Sequence, residues 1–323
     1  MRTTLRRLLL ALGGLVLLAL VAAAGLSALY WEPERPVASL LPRYATGASR
    51  LIPLGGLQVH VRDEGPRDDP RPVVLIHGTS ASLHTWEGWA RDLARDHRVV
   101  SMDLPGFGLT GPFPEGESDY SIDAYVRFIG ALLDALSVRS CVLAGNSLGG
   151  EIAWEVAAAL PERVSALVLV DAAGYPRQAR SVPIGFRIAG TPGLRRLAQR
   201  VLPRALVARS VRNVYGDPSK VSDEQIQRYF ELLLREGNRE ALGRRIALSG
   251  AGEHSARIAS LRQPTLILWG GRDRLIPPEL GERFHRDIAG SKLVVFPELG
   301  HVPQEEDPAQ TVAELRRFLT ALR

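Results

Sequence analysis

Cysteine is nearly absent from this chain. One residue in 323, Cys141, carries a thiol, so no intrachain disulfide can staple the fold. It lies in an apolar, strand-like run, CVLA, and is expected as a small core residue. Zinc-finger spacings are also missing. So are the aromatic-interleaved basic stretches of an RNA-binding module, although the chain is basic, with net charge +5 and pI near 9.7. Nucleic acid is therefore not an expected partner. No repeat period is present, which excludes solenoids and propellers. Hydrophobic residues make up 46% and charged residues 23%, a balance that excludes an intrinsically disordered chain.

Charge is missing altogether from Leu8 to Trp31, LLLALGGLVLLALVAAAGLSALYW. That is about the length that spans a bilayer. Arg2, Arg6 and Arg7 precede it, and Tyr30 and Trp31 stand where an interfacial belt would lie. Residues 1–31 are expected to form an uncleaved single-pass anchor, with the rest of the chain on the extracytoplasmic side. The alternative is a signal segment cut near Ala22-Ala23-Ala24, leaving an exported protein. Glu32 to Gly47 is proline-rich, and residues 32–50 are expected as a linker. Between Pro176 and Glu253 there are fourteen Arg and one Lys against seven acids. This reads as a solvated arginine-rich surface, or one that meets anionic lipid.

From Leu51 to Arg323 the pattern is one of alternating strands and helices. Strand-like runs stand at Leu57–Val61, Val73–Ile76, Arg98–Met102, Cys141–Ala144, Arg163–Asp171, Pro264–Gly270 and Lys292–Phe296. Helix-like stretches fall at Trp86–Arg95, Ile122–Leu136, Glu151–Leu160, Gln225–Arg235, Pro278–Ile288 and Pro308–Leu322. The fold class is α/β, with a mostly parallel central sheet flanked by helices. The alternation breaks between Ala172 and about Leu261, as it would for a helical insertion over the carboxyl edge of the sheet.

Six residues at that edge are candidates for chemistry. Gly145-Asn146-Ser147-Leu148-Gly149 fits G-x-S-x-G between a strand and a helix, which would hold Ser147 up as a nucleophile. A serine needs a base, and His301 follows a strand in the loop ELGHVPQEEDP. The base needs an acid. Asp273, in WGGRDRLIP, follows the preceding strand, and Asp171 is the rival at the end of Arg163–Asp171. An oxyanion needs backbone N–H donors. Leu148 would supply one and Thr79, in HGTSAS, the other. His77 and His84 lie in that same loop.

Together these segments resemble the α/β-hydrolase fold superfamily, in its capped serine-hydrolase branch. HGTSAS, DLPGFG, GNSLGG, WGGRD and GHVPQEEDP stand in the family's order, and Glu306 and Pro308 fall where the family places a Glu and a Pro. The resemblance covers about Leu51 to Arg323. It implies Ser147 as nucleophile, His301 as general base, Asp273 as orienting acid and Thr79 and Leu148 as the oxyanion hole. It implies a cap at about 175–260, a structural His77, and no metal or organic cofactor. Serine at the nucleophile position argues for esterase, lipase or C–C hydrolase chemistry. Because HGTSASLHTW lacks the longer glycine- and proline-rich loop usual in C–C hydrolases, the expected activity is hydrolysis of a carboxylic ester with an apolar or lipid-like substrate. The alternatives are cleavage of ring-cleavage-type diketone acids, with cap arginines on the carboxylate, and a non-catalytic binding protein at the membrane.

Overall fold

The structure, a computed structural model, describes residues 28–114, 119–176, 179–191, 199–248 and 252–322, with Gly193 and scattered positions between 6 and 25. The expected anchor at residues 1–31 falls mostly outside the described residues. Among those described, no helix is long and apolar enough to cross a membrane.

The chain enters the fold through a helix and a hairpin. Helix α1 spans Val37–Tyr44. Strands β1 (Ser49–Leu54) and β2 (Leu57–Glu64) pair antiparallel across Gly55-Gly56, whose φ values are 53° and 78°. Two glycines in this left-handed region are what a two-residue hairpin turn demands. Six more strands follow: β3 (Val73–Ile76), β4 (Val99–Met102), β5 (Cys141–Asn146), β6 (Val164–Val170), β7 (Thr265–Gly270) and β8 (Lys292–Phe296). The sheet order is β1-β2-β4-β3-β5-β6-β7-β8. Strand β2 runs antiparallel to both neighbours, and all pairs from β4 to β8 are parallel.

Helices α2 (Glu87–Leu93), α3 (Ile122–Ala135) and α4 (Leu148–Ala159) connect the first strands. Between β6 and β7 the described residues form four helices, α5 (Ile184–Ala189), α6 (Arg204–Val214), α7 (Asp223–Leu233) and α8 (Asn238–Ala247). The last three are α9 (Glu279–Asp287), the single turn α10 (Pro303–Glu306) and α11 (Pro308–Ala321). The strands alternate between two apolar layers. Val74, Ile76, Leu143, Leu167 and Ile267 join Ile129, Leu132 and Ile152 of α3 and α4 on one face. Val73, Leu75, Val142, Val168 and Leu266 join Trp89 of α2 and Leu315 of α11 on the other. Burial on both faces is why these strands read as continuous apolar runs.

The segment expected as a linker is not one. Helix α1 buries Leu40 and Tyr44 against Leu109 and Leu232. Its apolar residues Val37, Leu40, Leu41 and Tyr44 keep helical spacing despite Pro42 inside it. The Tyr44 hydroxyl and Arg43 both reach Glu231 of α7, and Arg35 joins them at 2.7 Å. The entering segment therefore clasps the insertion between β6 and β7. That insertion has its own apolar centre, in which Leu202, Val207, Val211, Ile226 and Phe230 pack with Val302.

Candidate active site

Strand β5 ends at Asn146 and α4 begins at Leu148. Ser147, between them, has φ 57° and ψ −117°, a backbone state that residues bearing a Cβ seldom adopt. Three main-chain hydrogen bonds hold it there. Its N–H donates to the Val170 carbonyl at 3.1 Å, and its own carbonyl accepts from Glu151 and Ala173, each at 3.0 Å. The flanking glycines follow from this closure. A methyl group on Gly145 would lie 2.0 Å from the Gly149 carbonyl oxygen, and one on Gly149 would lie 2.2 Å from that of Ile76. The G-x-S-x-G spacing is thus what lets strand and helix meet at a half-buried serine.

The His301 loop is shaped by Glu306, whose carboxylate accepts the N–H groups of Gly300 at 2.8 Å, Asp217 at 2.8 Å and Gly216 at 2.9 Å. His301 Nδ1 lies 2.6 Å from Asp273 Oδ2. The other oxygen of Asp273 accepts from Leu275 at 2.7 Å and Ile276 at 2.9 Å. Asp273 is therefore the acid that meets the histidine. Asp171 is not excluded from the cluster, however. Donor atoms of Asp171, Asp273 and His301 lie within 4.8 Å of one another. Burial and the charge of Asp273 push the Asp171 carboxyl well above the usual carboxylate range. Of the described residues these three alone are grouped as a cation site would be, but two of them are engaged with each other and with backbone amides. Ser147 and His301 share the wall of one cavity. They are not hydrogen-bonded to each other in this resting geometry, a bond that commonly forms only with substrate in place.

The loop after β3 brings Thr79 to the same cavity. Among the described residues, the N–H groups of Thr79 and Leu148 donate to no protein acceptor, as free oxyanion donors would. His77 braces this loop. Its Nδ1–H donates to the Gly78 carbonyl at 2.7 Å and its Nε2 accepts from Leu104 N–H at 2.9 Å. Burial pushes its pKa down, so the ring stays neutral. The DLPGFG turn is structural too. Asp103 accepts from Leu83 at 2.7 Å, Leu109 at 2.8 Å and His60 at 2.7 Å.

The cavity above Ser147 measures about 360 Å³. The sequence resemblance implied a cap lining the pocket but not which residues form its walls. Ile188, Leu202, Leu206, Val207 and Val211 line it from the insertion, with Leu275 and Val302 from the sheet side. Ile188, Leu206, Val207 and Val211 belong to mixed helices whose apolar stripe looks the same whether it faces a core or a ligand, and Leu202, Leu275 and Val302 stand in loops with no periodicity to mark them. Two polar residues were also missed. Ser80 has φ 62° and a buried hydroxyl without a partner. Arg239 is 5% exposed, and its Nε and Nη1 have no partner.

The profile of the alpha/beta hydrolase fold family matches residues 71–308. The chain belongs to that family. As an α/β-hydrolase it is an enzyme, and its sequence is 31% identical over 282 residues to the 2-hydroxy-6-oxo-2,4-heptadienoate hydrolase of Pseudomonas putida, covering 84% of this chain and 96% of that one. A meta-cleavage product hydrolase from Pseudomonas fluorescens superposes with TM-score 0.73 at 26% identity, covering 86% of this α/β-hydrolase and 98% of the other chain. A bacterial membrane phospholipase A superposes with TM-score 0.70 at 26% identity, covering 97% and 98%.

Proposed function

We propose that this α/β-hydrolase cleaves carboxylic esters with an apolar acyl chain through an acyl-enzyme on Ser147. The observation that carries this reading is the cavity, whose walls are mostly apolar, with Ser80, Ser210 and Arg239 among the few polar residues away from Ser147 and His301. His301 takes the Ser147 proton as Oγ attacks the acyl carbonyl. Asp273 holds the ring with Nδ1 protonated, so that Nε2 is free to act as base. The oxyanion is received by Thr79 and Leu148 N–H. The alcohol leaves with the proton from His301, and water repeats the steps on the acyl group.

A membrane-held enzyme with its catalytic domain outside the cytoplasm fits the same reading. The uncharged run Leu8–Trp31 supports it. So does the likeness to a protein named as a membrane phospholipase A, whose alignment covers 97% of this chain. A lipid-like ester would then be a natural substrate.

A second reading is C–C bond cleavage of a diketone acid. The names of two of the three proteins compared above favour it over the ester reading. Arg239 adds a structural argument, because a buried guanidinium with free donors at the cavity wall suits a carboxylate. Its other side faces a cleft lined by Glu32 and Glu34, so the site is not empty of negative charge.

One experiment separates the two. Turnover is measured on p-nitrophenyl esters of rising chain length, all below their micelle concentration, and on 2-hydroxy-6-oxo-2,4-heptadienoate. The ester reading expects kcat/KM to rise with chain length and to exceed that on the dienoate. Faster turnover of the dienoate, lost in Arg239→Met, would replace it with the second reading.

A further inference from the structure

Asp171 lies at the end of β6, beside the acid that meets His301. Its side chain is fully enclosed, at 0% exposure. Its φ of 44° is in the left-handed region, where an aspartate is held only by its surroundings. Its N–H donates to the Leu268 carbonyl at 3.0 Å, and its Oδ1 accepts from Gly270 N–H at 2.9 Å. Its Oδ2 is buried without a partner. An ionised carboxylate left so would cost several kcal/mol. The charges that act on it are those of Asp273 and Glu306, both negative. Two carboxylates in one dry site cannot both ionise. Asp273 is the one whose two oxygens are already taken as acceptors, by His301 and by two backbone amides. The proton of the pair therefore resides on Asp171, on the oxygen that no amide occupies.

We propose that Asp171 is a positioning residue of the triad: its Oδ2–H donates to the Asp273 carboxylate, and its carboxylate takes the place of Asp273 at His301 when Asp273 is removed. The inference rests on the triad as read above. The donated hydrogen bond fixes the Asp273 side chain and shares its charge without neutralising it. The substitution needs no large movement, because the ligating atoms of Asp171 and His301 already lie within 4.8 Å. No bond is made or broken in this arrangement, and the only thing shared is one proton between two carboxyl groups.

The test uses the full chain and p-nitrophenyl butyrate. Asp171→Ala is expected to lower kcat by about tenfold with KM little changed, and Asp171→Asn, whose amide donates in the same direction, to recover all but about threefold. Asp273→Gly, which vacates the place at His301, is expected to keep turnover about a hundredfold above that of the double variant Asp171→Asn, Asp273→Gly. Failure of Asn to rescue Ala would overturn the donated hydrogen bond. Equal rates for Asp273→Gly and the double variant would overturn the substitution. Infrared difference spectra separate these outcomes from failure of the triad reading or of folding. At pH 7 wild type should show a protonated carboxyl stretch that Asp171→Asn lacks. Absence of that band in wild type would overturn the proposal whatever the activity.

Discussion

The side-chain amide of Asn146 donates to the main-chain carbonyl of His301 at 2.9 Å and to that of Val170 at 3.1 Å. The residue before the serine thus ties the nucleophile's strand to the loop that carries the base. Asn146→Ala is expected to lower kcat by about tenfold, because the His301 loop loses its register. It should also cost about 1–3 kcal/mol of stability, since buried carbonyls lose a donor. Urea denaturation and steady-state kinetics on one preparation check both numbers.

The elbow tolerates no added atom. Gly149→Ala would place a methyl carbon 2.2 Å from the Ile76 carbonyl oxygen. Strand and helix would have to part. The expected loss is about 3 kcal/mol or more, read as a lowered urea midpoint or as insoluble protein. Gly290→Ala is a useful contrast. It lies in a turn at φ 72° with open space around it, and its cost should stay near the ~1 kcal/mol of a left-handed backbone alone.

Glu305 fastens the insertion to the core. Its carboxylate accepts from Thr85 at 3.0 Å, Arg228 at 2.9 Å and Tyr229 at 2.8 Å. Tyr229 also lines the cavity. Glu305→Ala leaves the Arg228 guanidinium, whose side chain is only 15% exposed, without its nearer carboxylate. The cost should be about 3 kcal/mol. The loosened cavity wall should raise KM for long-chain esters more than for short ones, and paired KM values measure this.

Acid should destabilise the protein through His84. Its Nε2–H donates to the Tyr44 carbonyl at 3.1 Å, and its Nδ1 faces the Ser82 hydroxyl at 3.0 Å. Burial, opposed only in part by Asp103, brings its pKa from 6.5 down to about 4. The folded state keeps this ring neutral while the unfolded chain protonates it. The contribution is therefore complete above pH 6.5 and is lost as pH falls towards 4. The loss should reach about 3 kcal/mol. Stability measured against pH should flatten over this window in His84→Gln. An unchanged slope would assign the acid loss to other groups.

What the sequence carried, it carried through spacing. The parallel strands were legible because both of their faces are buried, so that VVLI and CVLA stand out as unbroken apolar runs. The residues at the strand ends were legible because glycines mark the turns that hold them. Strand β1 was not. It is an edge strand with Pro53 inside it, and neither an apolar run nor alternation survives there. Helix α1 was hidden behind Pro33, Pro36 and Pro42, although Leu40 and Tyr44 stand at core spacing. The contact between Asp273 and His301 followed the expected order, but the pairing of Asp171 with Asp273 needed the sheet. Those two aspartates are about a hundred residues apart, and only the parallel register of β6 with β7 brings their strand ends side by side.

The central claim is that Ser147 is an activated nucleophile, and a fluorophosphonate probe tests it most directly. The purified protein is incubated with the probe beside Ser147→Ala and His301→Ala, and the adduct is mapped by peptide mass spectrometry. The account predicts one adduct per chain, on Ser147, abolished in Ser147→Ala and slowed by at least about a thousandfold in His301→Ala. An adduct that persists in Ser147→Ala, or no adduct on folded wild-type protein, would contradict it.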